Sequence, residues 1–340
     1  MKISESERPT VTRAPSKIVY AIYDLAHCPV TYDILQFLGC CEAFRDGHDA
    51  DGIHVSFVLG PAGEEFRRHT NKDLRLTDAE KMARVHRILV PCASLLQNFA
   101  GVSLFHSRTD LARFLEGIDP SRIYPLGYHP DDPKRLILTS IAVGLHNLGF
   151  PVQGLTSTAS ALSFVDEWIE AKGISKPIVA LTFRNSSIEK ERNSSTENWL
   201  RFADYLQGNG FHPVGIPDTE LALSGRANAL SDGLEWHHMA ALDPELRAAL
   251  YQRAFISMAS GGGPSFINIY SSHMPCLIFM DSARLLTGAP TEEHFRRQMG
   301  FGYGEQFPWA SPTQRLAWIP DSFENLCDEF QKMLPLLKQR

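Results

Sequence analysis

The chain has 340 residues, 44% of them hydrophobic, and a formal net charge of −6. That length suits two domains of ordinary size, and the apolar share is enough for a core in each. No Lys/Arg block or basic domain is present, which argues against nucleic acid as a partner, and no run approaches the roughly 18 apolar residues of a membrane-spanning helix.

Residues 1–16 are polar and read as a disordered tail. Met1 to Glu7 lack the apolar stretch of a secretory leader. The six cysteines (Cys28, Cys40, Cys41, Cys92, Cys276, Cys327) have no metal-type spacing and read as thiols of a reducing compartment, so a cytoplasmic location is expected. The sequons at Asn185 and Asn193 carry little meaning there.

Lys17–Tyr23 is rich in β-branched and aromatic residues and predicts the first strand. A helical pattern follows from Pro29 to Arg45, then a strand over Ile53–Leu59 and a helix over Asp78–Leu89. Further strand-like pieces sit at Ser103–Phe105 and Arg122–Tyr124. The pattern restarts with a capped helix over Thr158–Lys172 and a buried strand over Ile178–Phe183. Next come the helix Glu197–Gly208, the strand Phe211–Ile216, the helix Pro244–Tyr251 and the strand Phe255–Ser257. A helix starting at Phe266, the strand Leu277–Phe279 and an amphipathic helix over Phe323–Leu337 complete the chain. Such alternation predicts an α/β protein of two Rossmann-like, doubly wound domains facing a cleft. The expected division is 17–155, 156–320 and a C-terminal helix at 321–340.

Two segments carry the chemistry. Ser260-Gly261-Gly262-Gly263-Pro264-Ser265 joins a strand to an expected helix N-terminus. Bare backbone N–H groups and a helix dipole there would seat a phosphate; a plain tight turn is the competing reading. Arg184 to Ser195 follows the strand ending at Phe183 and holds Arg184, Lys190, Arg192, Asn193 and Ser194. Arginine grips phosphate oxygens with two parallel hydrogen bonds, which makes Arg184, then Arg192, candidates for a leaving diphosphate. Asn193 and Ser194 would cap the next helix or hold the ligand. The competing reading pairs these arginines with Glu189 and Glu191 in a solvated loop.

The second half resembles the nucleotide-sugar-binding domain of GT-B glycosyltransferases, and among them the heptosyltransferases of lipopolysaccharide assembly. The resemblance rests on a strand, the turn Ser260–Ser265, the helix from Phe266 and the strand Pro275–Phe279, within residues 175–285. Two departures stand out. Phe266 or Asn268 sits near the place of the family's His, and Asp24-Leu25-Ala26-His27 follows the first strand where the family has Gly-Asp. The resemblance therefore implies the fold and a nucleotide-diphosphate sugar as co-substrate, with no other cofactor and no metal, and not a heptose in particular.

A glycosyl transfer needs a base for the acceptor hydroxyl and a counter-charge for the departing diphosphate. Asp24 and His27 are the expected base candidates, with capping and packing roles as the alternative; His129 is a weaker one. Glu235 and Trp236, in the segment from Asp232 to His238, would hold the nucleoside, and Gln306 would lie in a loop over the donor. His237 and His238 are adjacent, which suits a metal poorly. The expected acceptor is a glycan or a lipid-linked molecule, which leaves room for peripheral membrane contact. An epimerase or hydrolase of the same fold, or a nucleotide-sugar-binding protein without turnover, are the competing functions.

Overall fold

The computed structural model describes residues 17–133, 139–186, 190–224, 233–281 and 291–339. The tail 1–16, Ser187 to Glu189 and Asp232 lie outside the described residues.

Four parallel strands form the first sheet: β1 (Ile18–Asp24), β2 (Gly52–Val58), β3 (Phe99–Phe105) and β4 (Ile123–Tyr124), in the order β3-β2-β1-β4. Six parallel strands form the second: β5 (Ile178–Thr182), β6 (His212–Ile216), β7 (Glu235–Trp236), β8 (Ile256–Ser260), β9 (Cys276–Phe279) and β10 (Gln314–Ala317). Their order, β10-β9-β8-β5-β6-β7, is the doubly wound 3-2-1-4-5-6 arrangement read from the far edge. The chain winds outward in opposite directions from β5 and β8, and the carboxyl edge of this central pair is where such sheets place a ligand crevice. Arg184 follows β5, and Gly261 follows β8.

The helices start where their caps dictate. Thr158 Oγ1 accepts from Ala161 N at 3.3 Å, ahead of the helix Ala159–Ala171. Asp243 accepts from Glu245 N at 2.8 Å, with Pro244 opening the helix to Arg253. Over 78–93 the helix continues through a π turn at Val85–Leu89. Pro91 explains it: proline has no N–H to return and its ring crowds the carbonyl four residues back, which widens the turn.

One apolar cluster runs through both halves, from Tyr23, Phe37 and Phe57 to Tyr270 and Trp309. The halves approach closely along it. A Cβ on Gly39, in the helix Ile34–Gly47, would lie 2.7 Å from the Tyr270 ring. A second cluster fills the other face of the larger sheet, where Phe202 meets Phe330 of the helix Phe323–Leu337 at a ring separation of 5.7 Å.

The helix expected from Phe266 is replaced by a short 3-10 turn over Gly263–Ile267. Side-chain amides take the carbonyls that a longer helix would have used. Gln314 Nε2 donates to Asn268 O, Ser271 O and Met274 O, and Gln153 Nε2 donates to Ile269 O and Ser271 O.

Candidate functional site

The loops after β5 and β8 meet as neighbours. Arg192 Nη2 donates to Gly261 O at 3.1 Å, and Ser194 Oγ lies 3.0 Å from Ser260 Oγ. Arg184 N donates to Ser194 Oγ at 2.9 Å, which closes the first loop on its own far end. Behind the junction stands a residue that sequence reading missed. Asp321, 3% exposed, accepts through Oδ2 from Ser195 N at 2.9 Å, Trp199 Nε1 at 2.8 Å and Ser260 Oγ at 3.1 Å. It caps the helix Thr196–Gly208 from outside, because Ser195 makes no side-chain cap of its own. Its only sequence signal is a position just before the last helix.

The three glycines divide their work. Gly261 N is taken by Phe279 O at 2.8 Å, and a Cβ there would meet Met280 Sδ at 2.6 Å. A Cβ on Gly263 would meet Tyr32 Cβ at 2.7 Å. At Gly262 the nearest atom to a Cβ is 3.6 Å away, and φ is −150°, so neither space nor backbone demands glycine. The N–H groups of Gly262 and Gly263 have no acceptor among the described residues. Ser265 turns inward: its Oγ donates to Gly262 O at 2.6 Å and the residue is 2% exposed. With so short a turn beyond, the corner offers bare amides and little helix dipole.

The corner opens into a cleft of about 950 Å³ between the halves, within the range of small-molecule sites. Arg184, Ser186, Arg192, Asp218 and Gly263 line it from the second half, and Tyr32, Asp33, Arg67, Lys81 and Arg84 from the first. Seven Lys/Arg and four Asp/Glu side chains line this cleft, against the negative charge of the whole chain. Lys81 is 2% exposed and donates to Arg67 O at 3.2 Å. Asp73 is spoken for: it accepts from Arg67 Nε at 2.9 Å, and hydrogen bonds from Arg67 and Thr70 outweigh burial to lower its pKa.

Asp33 is the second residue that sequence reading missed. It is exposed, lines the cleft, and caps the helix Ile34–Gly47 without giving its carboxylate to that helix. Thr31 Oγ1 donates to Oδ2 at 2.9 Å, and no cation pairs with it among the described residues. The expected helix from Pro29 hid it. The chain holds a turn through Thr31, and Thr31-x-Asp33 before Ile34-Leu35 is a helix-start signal.

The expected base and nucleoside residues need correction. Asp24 is 1% exposed and does not line the cleft. Arg108 grips its carboxylate with Nε and Nη2, each at 3.1 Å, and Tyr128 Oη donates to it at 3.2 Å. His27 also stays out of the cleft lining, with its ring 6.4 Å from that of His69. His129 accepts through Nδ1 from Asp131 N in an exposed turn. Trp236 is 7% exposed, packs on Phe183 at 5.1 Å and covers Gly215, so its ring belongs to the core. Glu235 pairs with Lys172 at 2.8 Å. Gln306 spends both ends of its amide on Leu316, donating to O at 2.9 Å and accepting from N at 2.6 Å. Asn193 likewise closes its own loop on Ser186 N and O, each at 3.0 Å. His237 is buried and accepts through Nδ1 from Ala240 N, and burial lowers its pKa to about 4. Among the described residues no three His, Cys, Asp or Glu side chains converge on a metal position. No described helix is long and apolar enough to cross a membrane.

Solved structures overlay along nearly the whole chain. The glycosyl transferase family 9 structure from Veillonella parvula DSM 2008 aligns with a TM-score of 0.52 over 94% of this chain and 90% of its own, at 9% identity. The E. coli ADP-heptose lps heptosyltransferase II aligns with a TM-score of 0.50 over 95% and 99%, also at 9% identity. The chain has the GT-B fold. The likeness is one of fold, and it extends the resemblance from residues 175–285 to both halves. No protein-family model matches the sequence, and no curated protein matches it.

Proposed function

We propose that this protein is a glycosyltransferase that moves a sugar from a nucleoside-diphosphate donor to an acceptor hydroxyl. The carrying observation is that Arg184, Arg192 and the glycine corner open into the same cleft as an exposed carboxylate on the opposite half, Asp33. Residues 156–320 hold the donor and 17–155 the acceptor. The bare N–H groups of Gly262 and Gly263 and the two guanidinium groups face the diphosphate, where negative charge grows as the sugar leaves. Asp33 takes the acceptor proton during attack. Seven cations along the cleft favour an acceptor that itself carries negative charge.

The test is release of nucleoside diphosphate from a panel of ADP-, UDP- and GDP-sugars, with and without glycan and lipid-linked acceptors. Acceptor-dependent release supports transfer. Asp33→Asn then lowers turnover by about 10²–10⁴-fold with nucleoside-diphosphate affinity retained. Sugar inversion on the intact nucleotide, acceptor-independent hydrolysis, or binding without turnover each refutes the transferase reading.

A further inference from the structure

Gly263 must be glycine because of a residue from the other half of the molecule. A Cβ built there falls 2.7 Å from Tyr32 Cβ and 3.4 and 3.5 Å from two atoms of its ring. Tyr32 immediately precedes Asp33, ahead of the helix Ile34–Gly47. Gly263 opens the turn at the diphosphate corner. Tyr32 also lines the cleft between the halves. Burial raises its pKa, and the charge of Arg247, in the second half, opposes that rise.

Arg247 is itself fixed. It is 3% exposed, donates from Nε to Ala240 O at 2.8 Å, and from Nη1 to Tyr251 Oη at 3.3 Å. Tyr251 Oη lies 2.8 Å from Thr182 Oγ1, the last residue of β5. The tyrosine thus packs on the glycine corner after β8, while Arg247, whose charge acts on it, belongs to a hydrogen-bonded chain leading to the end of β5. Nearby, Glu245 accepts from Ser94 Oγ at 2.6 Å and from Thr158 Oγ1 at 2.9 Å, bracing the same joint.

We propose that Tyr32 is the positioning residue of the transfer site, a tooth that holds Asp33 at a fixed offset from the diphosphate corner because Gly263 leaves the space its side chain occupies. This rests on the transferase reading for its catalytic consequence, and on the geometry alone for the coupling. Tyr32 touches no reacting atom. It acts through the residue beside it.

Tyr32→Ala, Tyr32→Phe and the parent are compared in two measurements. The first is backbone amide exchange in the full-length protein without ligand. In Tyr32→Ala, exchange rises in both 28–36 and 261–267; in Tyr32→Phe, which keeps the ring, it stays at parent level. A rise confined to 28–36 overturns the proposal. The second compares turnover with the affinity for ADP and UDP measured by calorimetry. Tyr32→Ala lowers turnover by at least about tenfold, the scale of a small misplacement of a reacting group, while ADP and UDP affinity stays within about threefold. Tyr32→Phe restores turnover. Unchanged turnover in Tyr32→Ala, or turnover and affinity falling together, overturns the positioning role. A parent protein that releases no nucleotide from any sugar nucleotide refutes the transferase reading, and the exchange measurement still decides the coupling.

Discussion

Replacing Asp321 by alanine tests whether the junction behind the corner is held from the far end of the chain. In the parent, one carboxylate oxygen receives Ser195 N–H, Trp199 Nε1–H and Ser260 Oγ–H in a site 3% exposed to solvent. Ser260 keeps Ser194 Oγ as a neighbour after the substitution, whereas Ser195 N–H and the indole N–H lose the acceptor seen here. A buried donor left without an acceptor costs roughly 1–3 kcal/mol, so two of them cost about 2–6 kcal/mol. That is a large part of the roughly 5–15 kcal/mol that holds an ordinary domain folded. Urea unfolding followed by tryptophan fluorescence reads this directly, because Trp199 is fully buried beside the lesion. Asp321→Asn keeps one acceptor oxygen and is expected to lose less than half as much. A loss under about 0.5 kcal/mol in Asp321→Ala would show that water replaces the carboxylate at no cost, and the reasoning from orphaned donors would fail.

Arg184→Ala is expected to weaken ADP or UDP binding by about 1.5–3 kcal/mol, the scale of a charge-assisted hydrogen bond; equal affinity in calorimetry removes Arg184 from the donor site. Gly262→Ala has room in the fold, so its unfolding midpoint should match the parent while nucleoside-diphosphate affinity drops about tenfold through the methyl group in the ligand's path. If both stay unchanged, the ligand does not approach this corner. His237 accepts a backbone hydrogen bond as a neutral ring and has a pKa of about 4, against about 6.5 when unfolded. Its contribution is therefore complete above pH 6.5 and is lost as pH falls from 6.5 toward 4, by up to about 3 kcal/mol. His237→Gln should flatten that part of the stability–pH curve, and an unaltered slope would assign the loss to other groups.

The alternation of strands and helices was legible because parallel sheets buried on both faces write themselves as short apolar runs. Ile178–Thr182 and Ile256–Ser260 are such runs, while their pairing side by side is seen only in the fold. The hydrogen bond between Arg192 and the glycine turn is likewise seen only in the fold. β10 was harder to see, since Gln314 and Arg315 interrupt its apolar pattern and its partner β9 lies more than thirty residues away. Trp236, Glu235 and Gln306 were misread because a polar aromatic segment near a cleft looks the same in sequence whether it faces ligand or core. Only packing on Phe183 and pairing with Lys172 and Leu316 decide between them. Asp24 and Asp33 show the same limit. Asp24 ends β1 and Asp33 lies in the loop beyond it, but Arg108, a distant residue, claims the first and leaves the second exposed.

The two sheets occupy separate stretches of the chain, with every strand of the first placed before residue 125 and every strand of the second after residue 177. On the ribosome the first half is complete before the second has begun, and halves of this kind assemble in the order in which they emerge. The last glycine of the corner is then laid down against a tyrosine already in place, so the newborn first half acts as a mould for that turn.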